Sequence, residues 1–129
     1  MIAVDASAIL AILLAEPEGP RFEALLTAEA GVISAVNYWE VLVRARRAAG
    51  VRGKDVATAL IAQLGIEIRP ATAADAERAA DAFERFGRGT PAGLNLGDCF
   101  AYALASAEGD GLLYKGNDFP RTDILSASN

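Results

Sequence analysis

The chain has 129 residues, 53% of them hydrophobic, which suits one domain with a single core and excludes a disordered chain. Its formal net charge of -5 provides no overall attraction for nucleic acid, so a polyanion would need a local basic surface or a metal ion to bind. Histidine is absent, which excludes serine triads and histidine acid–base catalysis and leaves oxygen donors for any metal, favouring Mg2+ or Mn2+.

The chain opens on a short strand-like run, Ile2-Ala3-Val4. A helix pattern follows over Ala6–Leu14, and its longest apolar run, Ala8 to Ala15, is too short to span a bilayer. No basic segment precedes it, so neither a signal peptide nor a membrane anchor is expected. Further helices are predicted over Gly19–Ala28, Ala35–Ala49, Gly53–Leu64, Ala73–Phe86 and Leu96–Glu108. Strands are predicted at Gly31–Ser34, Ile66–Ile68 and Gly111–Tyr114, with a fifth at Asp123–Leu125. Gly50, Gly65, Gly87 and Gly109 follow helical stretches and read as left-handed stops. Thr72 with Asp75 reads as a capping box. The segment from Gly87 to Gly93 reads as a flexible linker. Strands alternating with helices imply right-handed crossovers and a parallel sheet covered on both faces. The single cysteine, Cys99, excludes an intrachain disulfide and fits a reducing cytoplasm.

In open sheets of this kind ligands bind beyond the carboxyl ends of the strands, and four acids are candidates for that edge. Asp5 follows the first strand; it also reads as the cap of the next helix, and one carboxylate can do both. Glu40 shares a helix face with Val36 and Val43, an expensive place for an acid without a partner. Arg44 is its plain structural partner one turn on, and Asn37 and Arg47 are candidates to orient it. Asp98 follows Asn95 by three residues, which is a capping-box spacing, but a Gly-rich loop leads straight into it. Asp118 follows the Gly111–Tyr114 strand in Gly116-Asn117-Asp118, which alone is a turn sequence. Carboxylates converging on one sheet edge repel each other, and a divalent cation is the natural way to hold them. Such an ion activates water and stabilises charge on a phosphoryl oxygen, so phosphodiester hydrolysis is possible without histidine. Arg44, Arg46, Arg47, Arg52 and Lys54 cluster after Glu40, mostly as ordinary solvated surface. Arg88 and Lys115 border the acid motifs and are the better candidates for contacts to substrate phosphates.

With these residues in view, the chain resembles the PIN-domain ribonucleases, and within them the VapC-type toxins of toxin–antitoxin pairs. The matching stretches are Ile2 to Ala8, Ser34 to Glu40, Leu94 to Ala105, and Leu113 to Phe119 followed by Thr122-Asp123. The resemblance implies a three-layer α/β/α fold with a central parallel sheet in the order 3-2-1-4-5. It implies Asp5 and Asp98 as metal-binding aspartates, with Glu40 and Asp118 supporting them and Ser7 as a small hydroxyl residue beside the site. Asn117 stands where some relatives carry a further acid, and Asp123 is close by, so the fourth ligand is open between Asp118 and Asp123. The resemblance also implies an RNA substrate, a homodimer and a cognate VapB-like antitoxin. The leading expectation is therefore a Mg2+-dependent endoribonuclease toxin. The competing readings are a catalytically inactive PIN-type module of a repressor complex and a metal-dependent phosphatase; the latter usually needs a second acid near Asp5, where Ala6 and Ser7 stand.

Overall fold

In order along the chain, the computed structural model has β1 (Ile2–Val4), α1 (Ala6–Leu13), α2 (Gly19–Ala28), β2 (Gly31–Ser34), α3 (Ala35–Ala49) and α4 (Val51–Gln63). Then follow β3 (Glu67–Arg69), α5 (Ala73–Phe86), α6 (Leu96–Glu108), β4 (Leu112–Leu113) and a short 3-10 turn, Phe119–Arg121. Residues 1–128 are described.

The strands pair in parallel in the order β3-β2-β1-β4, which places β1 at the centre. Alternation along each strand distributes side chains between two cores. Ile2, Val4, Ile33 and Leu113 point into one, against α1, α2, α3 and α4. Ala3, Val32 and Leu112 point into the other, against α5 and α6. β1, β2 and β4 are buried on both faces, as a covered parallel sheet requires, and their continuous apolar sequence is the result, whereas edge strand β3, Glu67-Ile68-Arg69, is largely exposed. Each fully buried Leu or Ile contributes about 1.5–3 kcal/mol, so the strand ends that carry the candidate acids rest on a well-packed platform. No helix among the described residues is long and apolar enough to cross a membrane.

The α/β class and the covered parallel sheet are as the sequence predicts; β3 is shifted by one residue and β4 shortened to Leu112–Leu113, and three larger details differ. The sheet has four strands rather than the five of a 3-2-1-4-5 order. The expected fifth strand at Asp123–Leu125 is replaced by one bridge between Leu112 and Ser126, beside β4. The Leu112 N–H donates to the Leu125 carbonyl (2.9 Å) and the Ala127 N–H to the Leu112 carbonyl (3.0 Å). Asp123 lies outside that pairing, with its carboxylate held by Tyr102 and Arg85. Helix α4 begins at Val51 rather than Gly53, since Gly50, at φ 73°, already turns the chain. Gly87 is not left-handed: its φ is -78°, and it is a glycine because a Cβ there would collide with Phe83.

Candidate active site

Beyond the carboxyl ends of β1 and β4, a polar cleft of about 130 Å³ is lined by Asp5, Glu40, Asp98 and Asp118, together with Ser7, Arg44, Asn95 and Lys115. Its acids come from four separate segments. Asp5 leaves β1 in extended conformation and caps α1, accepting the Ser7 N–H at 3.1 Å on Oδ2. The Ser7 hydroxyl donates to the same oxygen at 2.5 Å. Ser7 Oγ in turn accepts the Lys115 N–H at 2.9 Å, which ties the loop after β4 to the end of β1.

Glu40 is placed by α3, which Ser34 caps from the end of β2. Asn37, one turn earlier and fully buried, donates its Nδ2 to Glu40 Oε1 (2.7 Å) and to the Gly97 carbonyl (2.9 Å). This bidentate clamp seats α3 against the first turn of α6. It leaves Asn37 Oδ1 buried without a partner among the described residues, a cost of about 1–3 kcal/mol that the two donated bonds offset. Close approach explains Gly97: any Cβ there would strike the Glu40 carboxylate. Asp98 sits in a complete capping box; Oδ2 accepts the Asn95 N–H (3.1 Å) and its own N–H donates to Asn95 Oδ1 (2.9 Å).

A pattern joins the three acids. In each, one oxygen carries the structural bonds: Oδ2 of Asp5, Oε1 of Glu40 and Oδ2 of Asp98. The second oxygen accepts no hydrogen bond from the protein among the described residues, although the Ala6 N–H also acts on the Asp5 carboxylate and lowers its pKa. Burial pushes the carboxyl pKa of all three upward. For Asp98 it reaches about 6, with Asp5, Glu40 and Asp118 adding repulsion and the Asn95 N–H opposing it. In Asp5 the Ser7 bonds oppose the rise, and in Glu40 the Asn37 bond does, while the Asp5 charge adds to it. The cleft therefore carries negative charge that the protein leaves partly uncompensated.

Its free oxygens are hard donors of the kind Mg2+ takes. Among the described residues no three acids stand close enough to cage an ion by themselves. A cation here would have at most two of these acids as direct ligands in this arrangement, the rest of its shell being water.

The remaining candidates divide. Ser7 and Asn37 hold the acids as just described. Asp118 lines the cleft, whereas Asp123 lies elsewhere, accepting the Tyr102 hydroxyl at 2.5 Å and pairing with Arg85 at 3.0 Å. Lys115 reaches the cleft edge, but its ammonium pairs with Glu16 (2.7 Å) and Glu18 (3.6 Å). Arg88 is exposed and does not line the cleft. Sequence reasoning undervalued Arg44 by reading it as the ion-pair partner of Glu40. It makes no ion pair within 4.0 Å among the described residues; it lines the cleft, and its charge lowers the pKa of Asp5 and Glu40 from a distance. Its position four residues after Glu40 was the available signal. Arg47 is exposed and takes no part.

The family model for the PIN domain matches residues 2–125. The chain belongs to the PIN-domain family. Within it, ribonuclease VapC28 of Mycobacterium tuberculosis is 41% identical over 130 residues, 96% of each chain. Ribonuclease VapC30 of the same species is 35% identical over 127 residues, 97% of each chain. These place the chain in the VapC group of PIN-domain proteins. The crystal structure of M. tuberculosis VapC20, described as a sarcin–ricin-loop-cleaving toxin, superposes with a TM-score of 0.77 over 97% of both chains. At 18% identity that likeness concerns the fold. The PIN fold thus accounts for the sheet and for the position of the acid cleft at its carboxyl edge.

Proposed function

We propose that this chain is a metal-dependent endoribonuclease that hydrolyses RNA phosphodiester bonds and acts as the toxin of a toxin–antitoxin pair. One observation carries the reading: Asp5, Glu40 and Asp98 each spend one oxygen on structure, and the other accepts no hydrogen bond from the protein among the described residues, in a shared polar cleft. Asp5 and Asp98 would hold Mg2+, or Mn2+ in its place, with Glu40 and Asp118 in support. When bound, the ion supplies a Lewis acid that polarises a phosphoryl oxygen and activates water.

The protein's own groups do the positioning. Ser7 fixes the Asp5 carboxylate and ties it to the Lys115 backbone. Asn37 fixes Glu40 against α6. The Asn95 box fixes Asp98. Arg44, a cation at the cleft without an acid partner among the described residues, is suited to a phosphate oxygen of the substrate. The names of the VapC relatives support RNA as substrate and a cognate VapB-like antitoxin; that this antitoxin blocks the site, that the toxin is a homodimer and that it works in the cytoplasm are further parts of the proposal.

The test is cleavage of RNA by Asp5→Asn and Asp98→Asn in Mg2+. Both replacements keep a capping oxygen, so circular dichroism should show the native fold. Cleavage should fall about 100-fold or more, the scale on which one preorganised electrostatic group counts. Cutting at the wild-type rate by either variant removes the assignment.

A further inference from the structure

A second groove adjoins the acid cleft. It measures about 360 Å³, within the ~300–1,000 Å³ range typical of ligand pockets, and shares Lys115, Gly116 and Asn117 with the cleft. The loop after β4 is thus a ridge with the acids on one side and this groove on the other. The groove is lined by Arg21, Tyr114, Ser126 and Glu18 as well as by the ridge.

Its charges are unequally committed. Glu18 and Glu16 share the Lys115 ammonium. Arg21 has no carboxylate within ion-pair distance among the described residues; its guanidinium lies 5.5 Å from the centroid of the Phe22 ring, which steadies its stem. Tyr114 is half-buried, its ring tilted 47° against Phe119 at 5.1 Å, so it presents a firmly held aromatic at the groove wall. Asn117 and Ser126 add side chains that can donate and accept hydrogen bonds. A cation, an aromatic and neutral polar groups in one groove match the way single-stranded RNA is held, through phosphate contacts and base stacking rather than edge readout of a duplex.

We infer that this groove is a subsite for the nucleotide flanking the scissile phosphate, with Arg21 on its phosphate and Tyr114 against its base. The inference rests on the ribonuclease reading of the acid cleft. It also bears on the charge problem. A chain of net charge -5 must place its few available cations along the strand's path, and Arg44 in the cleft and Arg21 in the groove lie one on each side of the ridge.

The experiment measures binding of a short fluorescein-labelled single-stranded oligoribonucleotide across a salt series. The proteins carry Asp98→Asn, alone and combined with Arg21→Ala, Arg21→Lys or Arg52→Ala. Arg21 is exposed, so the fold should survive its replacement. Arg21→Ala should weaken binding about threefold to fivefold at low salt. It should also flatten the slope of log K against log salt by about 0.7, the value for one phosphate contact on a single strand. Arg21→Lys should restore most of the slope, and Arg52→Ala, which lines neither groove, should leave it unchanged. An Arg21→Ala slope equal to that of Asp98→Asn alone, or a change matched by Arg52→Ala, overturns the subsite. Wild type that cuts the same oligoribonucleotide in Mg2+ while every Asp98→Asn protein leaves it intact keeps the cleft reading; wild type that leaves it intact, or cleavage by the Asp98→Asn protein, shows that the reading itself has failed.

Discussion

Helices α5 and α6 start with the same capping box, Thr72 with Asp75 and Asn95 with Asp98, yet their two aspartates end in opposite electrostatic states. Asp75 accepts the Thr72 N–H (3.0 Å) and hydroxyl (2.9 Å), and these bonds lower its pKa. Asp98 accepts the Asn95 N–H at a similar 3.1 Å, but its pKa rises to about 6. Burial and the charges of Asp5, Glu40 and Asp118 outweigh the cap at Asp98, whereas the Asp75 carboxylate has solvent around it and Arg78 at 3.2 Å. The local motif sets the backbone in both helices. The tertiary neighbours decide which carboxylate is content and which is available to a cation.

The largest contrast should appear in catalysis. Asp98→Asn should lose about 100-fold or more in RNA cleavage, while Asp75→Asn should stay within about twofold, because Asp75 touches nothing in the cleft. Comparable losses from both would make Asp98 a structural cap like its counterpart.

The next contrast is in pH. With Mg2+ limiting, protonation of Asp98 should reduce the cleavage rate as pH falls below about 6, approaching tenfold per unit. More metal competes with the proton and should move that limb to lower pH. The stability signs are opposite in the two boxes. A raised carboxyl pKa means the folded state binds the proton more tightly, so Asp98 makes the metal-free protein less stable as pH rises from the ordinary aspartate value of 3.8 through about 6. The lowered pKa of Asp75 adds stability above 3.8 that is lost as pH falls through its folded value. Urea unfolding of metal-free protein between pH 4 and 7 checks this. Asp98→Asn should flatten the decline across that window, and an unchanged profile would count against a strained carboxylate.

The smallest contrast concerns stability at neutral pH. Thr72→Ala should cost about 1 kcal/mol through loss of a cap. Asp98→Asn without metal should be neutral or raise the melting temperature by a few degrees, since it keeps a capping oxygen and removes a repelling charge. A loss at Asp98 as large as that at Thr72 would show the capping bonds to be dominant there.

What was legible in the sequence follows the same division. Asp5 at a strand end, the Thr72–Asp75 box and the Glu40 position in an apolar stripe are local signals, and local periodicity and capping rules read them. The parallel topology brings Asp5 and Asp118 to one sheet edge, because it fixes which strand ends face the same way; Glu40 and Asp98 stand on α3 and the first turn of α6, and the family resemblance is what set them with the other two. Side-chain pairing depends on tertiary neighbours and was not legible. Lys115 looked like a free phosphate ligand until Glu16 and Glu18 were brought beside it. Arg88 looked adjacent because it is close in sequence to the Asp98 stretch, but it does not line the cleft. Arg44 was discounted because helix spacing offered Glu40 as its partner, whereas Asn37 occupies that carboxylate. Asp118 and Asp123 could not be separated by spacing alone; the Tyr102–Arg85 clasp on Asp123 separates them.

The most direct measurement is a thermal scan of wild type and Asp98→Asn with and without millimolar Mg2+ or Mn2+. If the unshared oxygens of the three acids await a cation, metal should raise the wild-type midpoint by several degrees, following the logarithm of metal concentration above its dissociation constant. Asp98→Asn should respond far less. A wild-type midpoint indifferent to metal, or an equal rise in Asp98→Asn, would contradict the account.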